Sequence, residues 1–324
     1  MPDPSILPLD RAVLCTAPEL GLLAIDGPDA EAFLQGQLSN DVTALAPGAM
    51  QRSSFNSAKG RMLATLDLWR DGGGKFRALV AADVAEALRK RLSMYVLRAK
   101  VAVTDVSPSH ALFGVGGADP ASAVRDALGT APDPGHVVIV DTATVVGLQD
   151  GRIVVVATAG AEALRMKLVV KAHEVPPEVW RWLGIRAGVP VVGAATQDLF
   201  VPQTANFDLL GGVSFQKGCY PGQEIVARAQ YLGRLKERMH LFHIDGPPPP
   251  PATKIYGDVF GEQACGTLVD AAPAPGGGSD GLAVVQLSAL DGLLRVGSPD
   301  GPVLAALPLP YAIPAPASPN RPKL

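Results

Sequence analysis

The sequence is poor in several features that mark common functional classes. Its three cysteines, Cys15, Cys219 and Cys265, form no CxxC pair and no Cys/His cluster, and any single disulfide would leave one of them over. A zinc module, a disulfide-stapled secreted fold and a stable iron–sulfur cluster held by this chain alone are therefore not expected. Charge of one sign is lacking too: 28 Lys and Arg stand against 31 Asp and Glu, with no basic run. Strong nucleic-acid binding is not expected from that balance. No apolar run approaches the roughly 18 to 20 residues that span a bilayer. The opening MPDPSILPLD has acids and prolines where a secretory signal needs a basic stretch and an apolar core. These absences predict a cytoplasmic protein without membrane contact. His110, His136, His173, His240 and His243 show neither HExxH spacing nor a place in a nucleophile elbow, so a hydrolase has little behind it and no stably bound metal is expected.

What is present is length and mixed patterning. At 324 residues the chain exceeds what one core usually serves, so two or three packed domains are predicted. Residues 20–25 form an apolar strand, followed by Ala30, Phe33, Leu34, Gln37 and Leu38 at helical spacing. Strands at 62–69 and 75–81 are joined by Asp71-Gly72-Gly73-Gly74; Asp83 is a candidate N-cap for a helix over 84–97; a strand follows at 100–105. A second round places strands at 111–115, 137–140 and 153–157 with helices at 121–128 and 161–172. Mixing without strict alternation predicts the α+β class, with antiparallel sheets and helices on one face. Five consecutive prolines, Pro247 to Pro251, and short apolar runs around them predict a small all-β domain over 235–324. Within it, residues 271–280 are expected to be a mobile loop and the chain beyond Tyr311 a frayed tail.

The segment 200–234 is dense in polar residues that share no single face. In it KGCYPGQE (217–224) puts Cys219 just ahead of a helix over 223–230, with Pro221 suited to the first helical position. Unpaired N–H groups and the positive dipole end would favour a thiolate, and Lys217 would add a cation if it points the same way. The opposite reading, a small buried hydrophobe, is equally compatible with a lone cysteine. Gly218 and Gly222 suggest close backbone approach. Glu224 is either part of the chemistry or a dipole complement in the first helical turn.

KGCYPGQEIVARAQYLGR resembles the signature of the YgfZ family, a branch of the glycine-cleavage T-protein superfamily. Similarity extends to FLQGQLSNDV (33–42), FNSAKGR (55–61) and GIRAGVP (184–190). The resemblance implies a fold of two α+β subdomains in a ring, near 1–106 and 107–234 with room for the two to intertwine, followed by a small C-terminal β-barrel. It further implies tetrahydrofolate or a derivative in a central cavity, support of iron–sulfur cluster assembly or repair, and iron–sulfur proteins or assembly machinery as partners, tRNA-modifying enzymes among the beneficiaries. Cys219 with Lys217 would be the catalytic centre, and Gly218, Tyr220, Gly222, Gln223, Glu224 and Arg228 the signature around it. By analogy alone, Asn40, Asp41, Asn56, Lys59, Arg61, Arg186, Gln203 and Asn206 are folate-contact candidates. Asn40, Asp41, Asn56, Lys59 and Arg61 lie in turn-like segments, where Asn and Asp often bond only their own backbone. Trp69, Trp180 and Trp182 are further candidates for stacking on a pterin.

T-proteins carry paired aspartates in a Gly-x-x-x-Asp-Asp segment that contacts folate. Laid on Gly60-Arg61-Met62-Leu63, those positions fall on Ala64 and Thr65. Asp67, two residues beyond Thr65 on the same strand face, is read as a surface or capping residue. Folate-dependent aminomethyl transfer is therefore the alternative function.

Overall fold

The computed structural model describes residues 10–16, 18–231 and 235–314. The tail beyond 314 and Leu232 to Arg234, at the end of the signature, lie outside these.

Five antiparallel strands make the first sheet: β2 (Leu20–Asp26), β3 (Met50–Asn56), β4 (Met62–Arg70), β5 (Phe76–Ala81) and β6 (Ala102–Asp105), in the order β3-β4-β5-β2-β6. Helices α1 (Ala30–Gln35) and α2 (Ala85–Met94) cover one face. The second sheet has six strands. They are β1 (Ala12–Cys15), β7 (Ala111–Gly117), β8 (Val137–Val140), β9 (Ala143–Gly147), β10 (Ile153–Ala157) and β11 (His173–Val175), ordered β11-β1-β7-β10-β9-β8. Helices α3 (Pro120–Leu128) and α4 (Ala161–Val169) lie on its outer face, and α5 (Pro177–Arg186) follows β11. The chain thus begins in the second sheet before building the first.

The period-two arrangement of each strand explains how the sheets stack. In β2, Leu23 and Ile25 pack under the helices, whereas Leu22 faces the second sheet. In β10, Ile153 and Val155 pack on helices and Val154 and Val156 face the first sheet. The unbroken apolar run of β10 is therefore a strand buried on both faces. Between the sheets lie Met50, Trp69, Leu79, Val13, Cys15 and Trp180 as a shared core.

After α6 (Gln223–Tyr231), six strands form the third sheet: β12 (Glu237–Ile244), β13 (Lys254–Gly257), β14 (Ala264–Pro273), β15 (Ser279–Gln286), β16 (Leu294–Val296) and β17 (Leu304–Leu307). Their order is β16-β13-β14-β15-β12-β17. An Arg295–Val303 bridge links β16 to the residue before β17, curling the sheet into a small barrel. Met239 and Leu241 of β12 pack on Met62 of β4 and on Phe200 and Phe207 of the segment before α6, and Phe242 and Ile244 fill the barrel. Among the described residues no helix is long and apolar enough to cross a membrane.

Several details depart from the sequence reading. The strand β3 was not anticipated, because Arg52, Ser53, Ser54 and Asn56 make it look like loop. Asp83 does not cap α2; its carboxylate accepts from the Ala194 N–H at 2.9 Å, and the helix starts at Ala85 after a 3-10 turn. Helices α2 and α4 stop at Met94 and Val169, three residues short in each case of the expected 97 and 172, where Leu97 and Val170 would only add exposed apolar surface. Residues 271–280 are not a loop: β14 runs to Pro273, β15 begins at Ser279, and the turn between them closes with Ala274 N–H to Gly278 C=O at 3.0 Å.

Candidate functional site

The three sheets meet around a hollow with a narrow centre. A pinch of about 60 Å³ is lined by Arg52, Thr65, Asp67, Leu148, Arg152, Trp180 and Val189. On one side it shares Arg152, Trp180 and Val189 with a chamber of about 340 Å³ that reaches Arg181, Pro251 and Asp270. On the other it shares Arg52 and Val189 with a chamber of about 390 Å³ that reaches Gln149, Asp150, Leu209 and Tyr311. Both volumes lie in the range of small-molecule sites, roughly 300–1,000 Å³.

Two ion pairs of opposite origin meet at the pinch. Arg52 and Asp67 are cross-strand partners on β3 and β4, and the Arg52 Nε–H donates to Asp67 Oδ1 at 3.1 Å. Asp150 and Arg152 come from the loop before β10, joined at 2.7 Å, with the Arg152 guanidinium 4.5 Å from the Trp180 ring centroid. Burial disfavours the Arg52 cation, but the charges of Asp67 and Asp150 outweigh it and keep it protonated. Burial likewise opposes ionisation of Asp150, and Arg152 together with Arg52 holds it below the usual carboxylate range. One group stays unmatched: Arg52 is only 3% exposed, yet its Nη2 has no partner. Asn56, four residues on along β3 and so on the same face, also has an unpartnered buried Nδ2.

The Cys219 loop is built differently. The Lys217 ammonium donates to the carbonyls of Gln35, Leu38 and Asn40 at 2.6, 2.5 and 3.0 Å, so its three protons tie the loop to the end of α1. Burial pushes Lys217 down to about 8, with Asp41 opposing. Tyr220 is buried beside it, 5.1 Å from ring centroid to Nζ, and burial pushes its phenol up to about 12. Gly222 has φ +76°, and a Cβ there would lie 2.4 Å from Ser57 O and 2.5 Å from the Gly60 backbone. At Gly60, φ +69°, a Cβ would lie 2.8 Å from Ile225 Cβ and 3.0 Å from Gly222 O. Two left-handed glycines thus interlock the 57–60 turn with the start of α6. Gly218 has no such constraint; a Cβ there meets nothing within 4 Å. Cys219 is exposed, whereas Cys15 and Cys265 are buried. It lies four residues before the first residue of α6, and Pro221 precedes the helix instead of opening it.

The segments 33–42, 55–61 and 217–224, far apart in sequence, are therefore one contact unit. No family model matches the chain. Among curated proteins, the tRNA-modifying protein YgfZ of Serratia proteamaculans is 32% identical over 320 residues, covering 95% of this chain and 94% of that one. That of Photorhabdus laumondii is 36% identical over 241 residues, 73% of this chain and 71% of its own. The chain belongs to the YgfZ family. Its fold is that of the glycine cleavage system aminomethyltransferase T of Bartonella henselae, with a TM-score of 0.74 at 17% identity over 92% of this chain and 85% of the other.

Against this family fold, most of the folate candidates taken by analogy turn out to tie elements together. Asn40 donates to the carbonyls of Arg52 and Gly211 at 2.8 and 2.7 Å. Asp41 accepts from the Thr43 hydroxyl and from Gln35, and these bonds, with Thr43 foremost, hold it below its usual value. Gln203 and Asn206 are fully buried and donate to Val226 O and Met239 O at 2.7 and 2.8 Å. Arg186 reaches Asp280 of the barrel at 3.5 Å, and Arg61 donates to Leu199 O at 2.6 Å. Lys59 is exposed at the 57–60 turn, and Glu224 and Arg228 pair with each other on the surface at 2.9 Å. Gln223 donates to Lys217 O at 3.5 Å. Asn56 is not in a turn but ends β3.

Asp67 is likewise no surface or capping residue; it stands in the cavity wall because it shares a strand face with Thr65. Of the three tryptophans only Trp180 is among the residues lining these hollows; Trp69 lies in the core between the sheets and Trp182 donates to Asp280 at 2.8 Å. Arg52, Asp150, Arg152 and Arg238 were missed. Arg238 of β12 anchors the segment before the signature through Asp208 at 2.7 Å and Gln203 O at 2.6 Å. A signal for Arg52 did exist: Arg52, Ser54 and Asn56 alternate as Thr65 and Asp67 do, a polar stripe on two paired strands. Among the described residues no group of three or more His, Cys, Asp or Glu side chains is placed to hold a metal.

Proposed function

We propose that this chain is a tetrahydrofolate-binding factor that supports tRNA modification through iron–sulfur cluster assembly or repair, with folate in the central cavity and Cys219 as its reactive group. The observation that supports folate in the cavity most directly is the unpartnered Nη2 of buried Arg52. A buried donor without an acceptor is expensive, and a ligand carbonyl would satisfy it. The relatives' name supports the link to tRNA modification, and the T-protein fold supports the folate. Cys219 suits a chemical role because it is exposed on a loop whose position is fixed by Lys217 and Gly222. As a thiolate it would be a nucleophile or a transient ligand for iron. Cys219 does not line the cavity, so this reading has folate and thiol acting at separate places on the molecule.

The test is complementation in a bacterium lacking its own family member, reading the level of a tRNA modification made by an iron–sulfur enzyme. Cys219→Ser is expected to fold, bind folate and fail to restore the modification; full restoration would remove the thiol from the account. A folate-dependent one-carbon transferase is the second reading, favoured by the Asp67 carboxylate in the cavity wall. It is weakened by Ala64, which is buried on the helix-covered face of β4.

A further inference from the structure

Arg52 has two nitrogens on the edge it turns to Asp67. Nε–H is bonded to Asp67 Oδ1 at 3.1 Å, and Nη2, on the same edge, has no protein partner although the side chain is 3% exposed. The Asp67 side chain is 20% exposed and lines the same pinch, with Oδ1 engaged and its second oxygen left over. A free donor thus stands beside a free acceptor. That pair is the complement of a carbonyl beside an N–H, the edge of a cyclic amide. Register fixes it, since Arg52 and Asp67 are directly opposite on β3 and β4, and the Thr65 hydroxyl beside them is held by the Val192 N–H at 3.3 Å.

We propose that Arg52 and Asp67 form a specificity-determining pair that reads the amide edge of the ligand's ring, selecting a 2-amino-4-oxo pyrimidine ring over its 4-amino counterpart. Arg52 Nη2 donates to the ring carbonyl, and Asp67 accepts from the neighbouring ring N–H. A carboxylate is a poorer occupant of this position, because Asp67 and Asp150 would repel it. The acidic tail of a folate would therefore lie elsewhere in the hollow. In the 4-amino ring both partners are inverted: a donor meets Nη2 and a bare ring nitrogen meets Asp67. Sites that hydrogen-bond an edge reject its inverse strongly.

This inference rests on the folate reading, and the experiment separates the two. Tetrahydrofolate and its 4-amino-4-deoxy counterpart are titrated anaerobically into the full chain by calorimetry, in mildly alkaline buffer where the 4-amino ring is uncharged. The wild type is expected to prefer the 4-oxo ligand by roughly tenfold to a hundredfold. Asp67→Asn, nearly isosteric, is expected to narrow that preference, because its amide can donate to the bare nitrogen. Equal binding of both ligands by the wild type would overturn the inference and leave the folate reading standing. Binding of neither would remove the folate reading and the inference with it. The wild-type comparison requires no variant to fold.

Discussion

Arg52 and Lys217 are both buried cations in the first 220 residues, yet their surroundings differ. Lys217 has three carbonyl acceptors for three protons, all from one stretch of chain at the end of α1. Arg52 has a carboxylate on its Nε and nothing on its Nη2, beside a hollow. The first is a completed structural lock. The second is an incomplete one, of the kind a ligand completes. The lesson is that Lys217, Tyr220 and Gly222 of the signature fix the loop that carries Cys219, while the polar groups beside the hollow are on strands outside the signature.

Substitutions separate these roles, beginning with the largest expected effect. Gly222→Ala forces a side chain into Ser57 O and the Gly60 backbone at a left-handed φ, and is expected to destabilise by about 3 kcal/mol in chemical denaturation. Gly218→Ala, only four residues away in sequence, meets nothing and is expected to stay within about 0.5 kcal/mol. Lys217→Met leaves three carbonyls without a donor and is expected to cost about 2–3 kcal/mol, with folate affinity unchanged in whatever fraction is folded. Arg52→Met has the reverse pattern: the chain remains folded, and tetrahydrofolate binding weakens roughly tenfold or more.

A pH-dependent effect lies in the barrel. His240 is half-buried near Arg238, and its partial burial, with that charge second, lowers its pKa. The unfolded chain therefore binds a proton below about pH 6.5 that the folded chain refuses. Stability is expected to fall as the pH drops below that value, by up to about 1.4 kcal/mol per pH unit, and His240→Phe should flatten the slope.

The fold was legible where patterning was simple. The apolar strands β2, β7 and β10, the glycine-rich turn after β4 and the proline-led barrel follow from period and turn chemistry. The interior was not, because a strand that faces a polar cavity carries the residues of a loop. Arg52, Ser54 and Asn56 hid β3 for that reason, and Asp67 looked superficial for the same one. The locks were hidden too: Lys217 lies two residues before Cys219 in sequence but bonds to Gln35, Leu38 and Asn40, a contact over some 180 residues that spacing does not reveal. Asn206 and Gln203 could be suspected of facing a site, but only the position of Arg238 and Val226 shows what they bond.

The most direct test of the account is anaerobic calorimetry of tetrahydrofolate binding to the wild type, Arg52→Met and Cys219→Ala. The account predicts saturable binding with equal affinity in the wild type and Cys219→Ala, and a loss of roughly tenfold or more in Arg52→Met. Binding that depends on Cys219 and ignores Arg52 would contradict it.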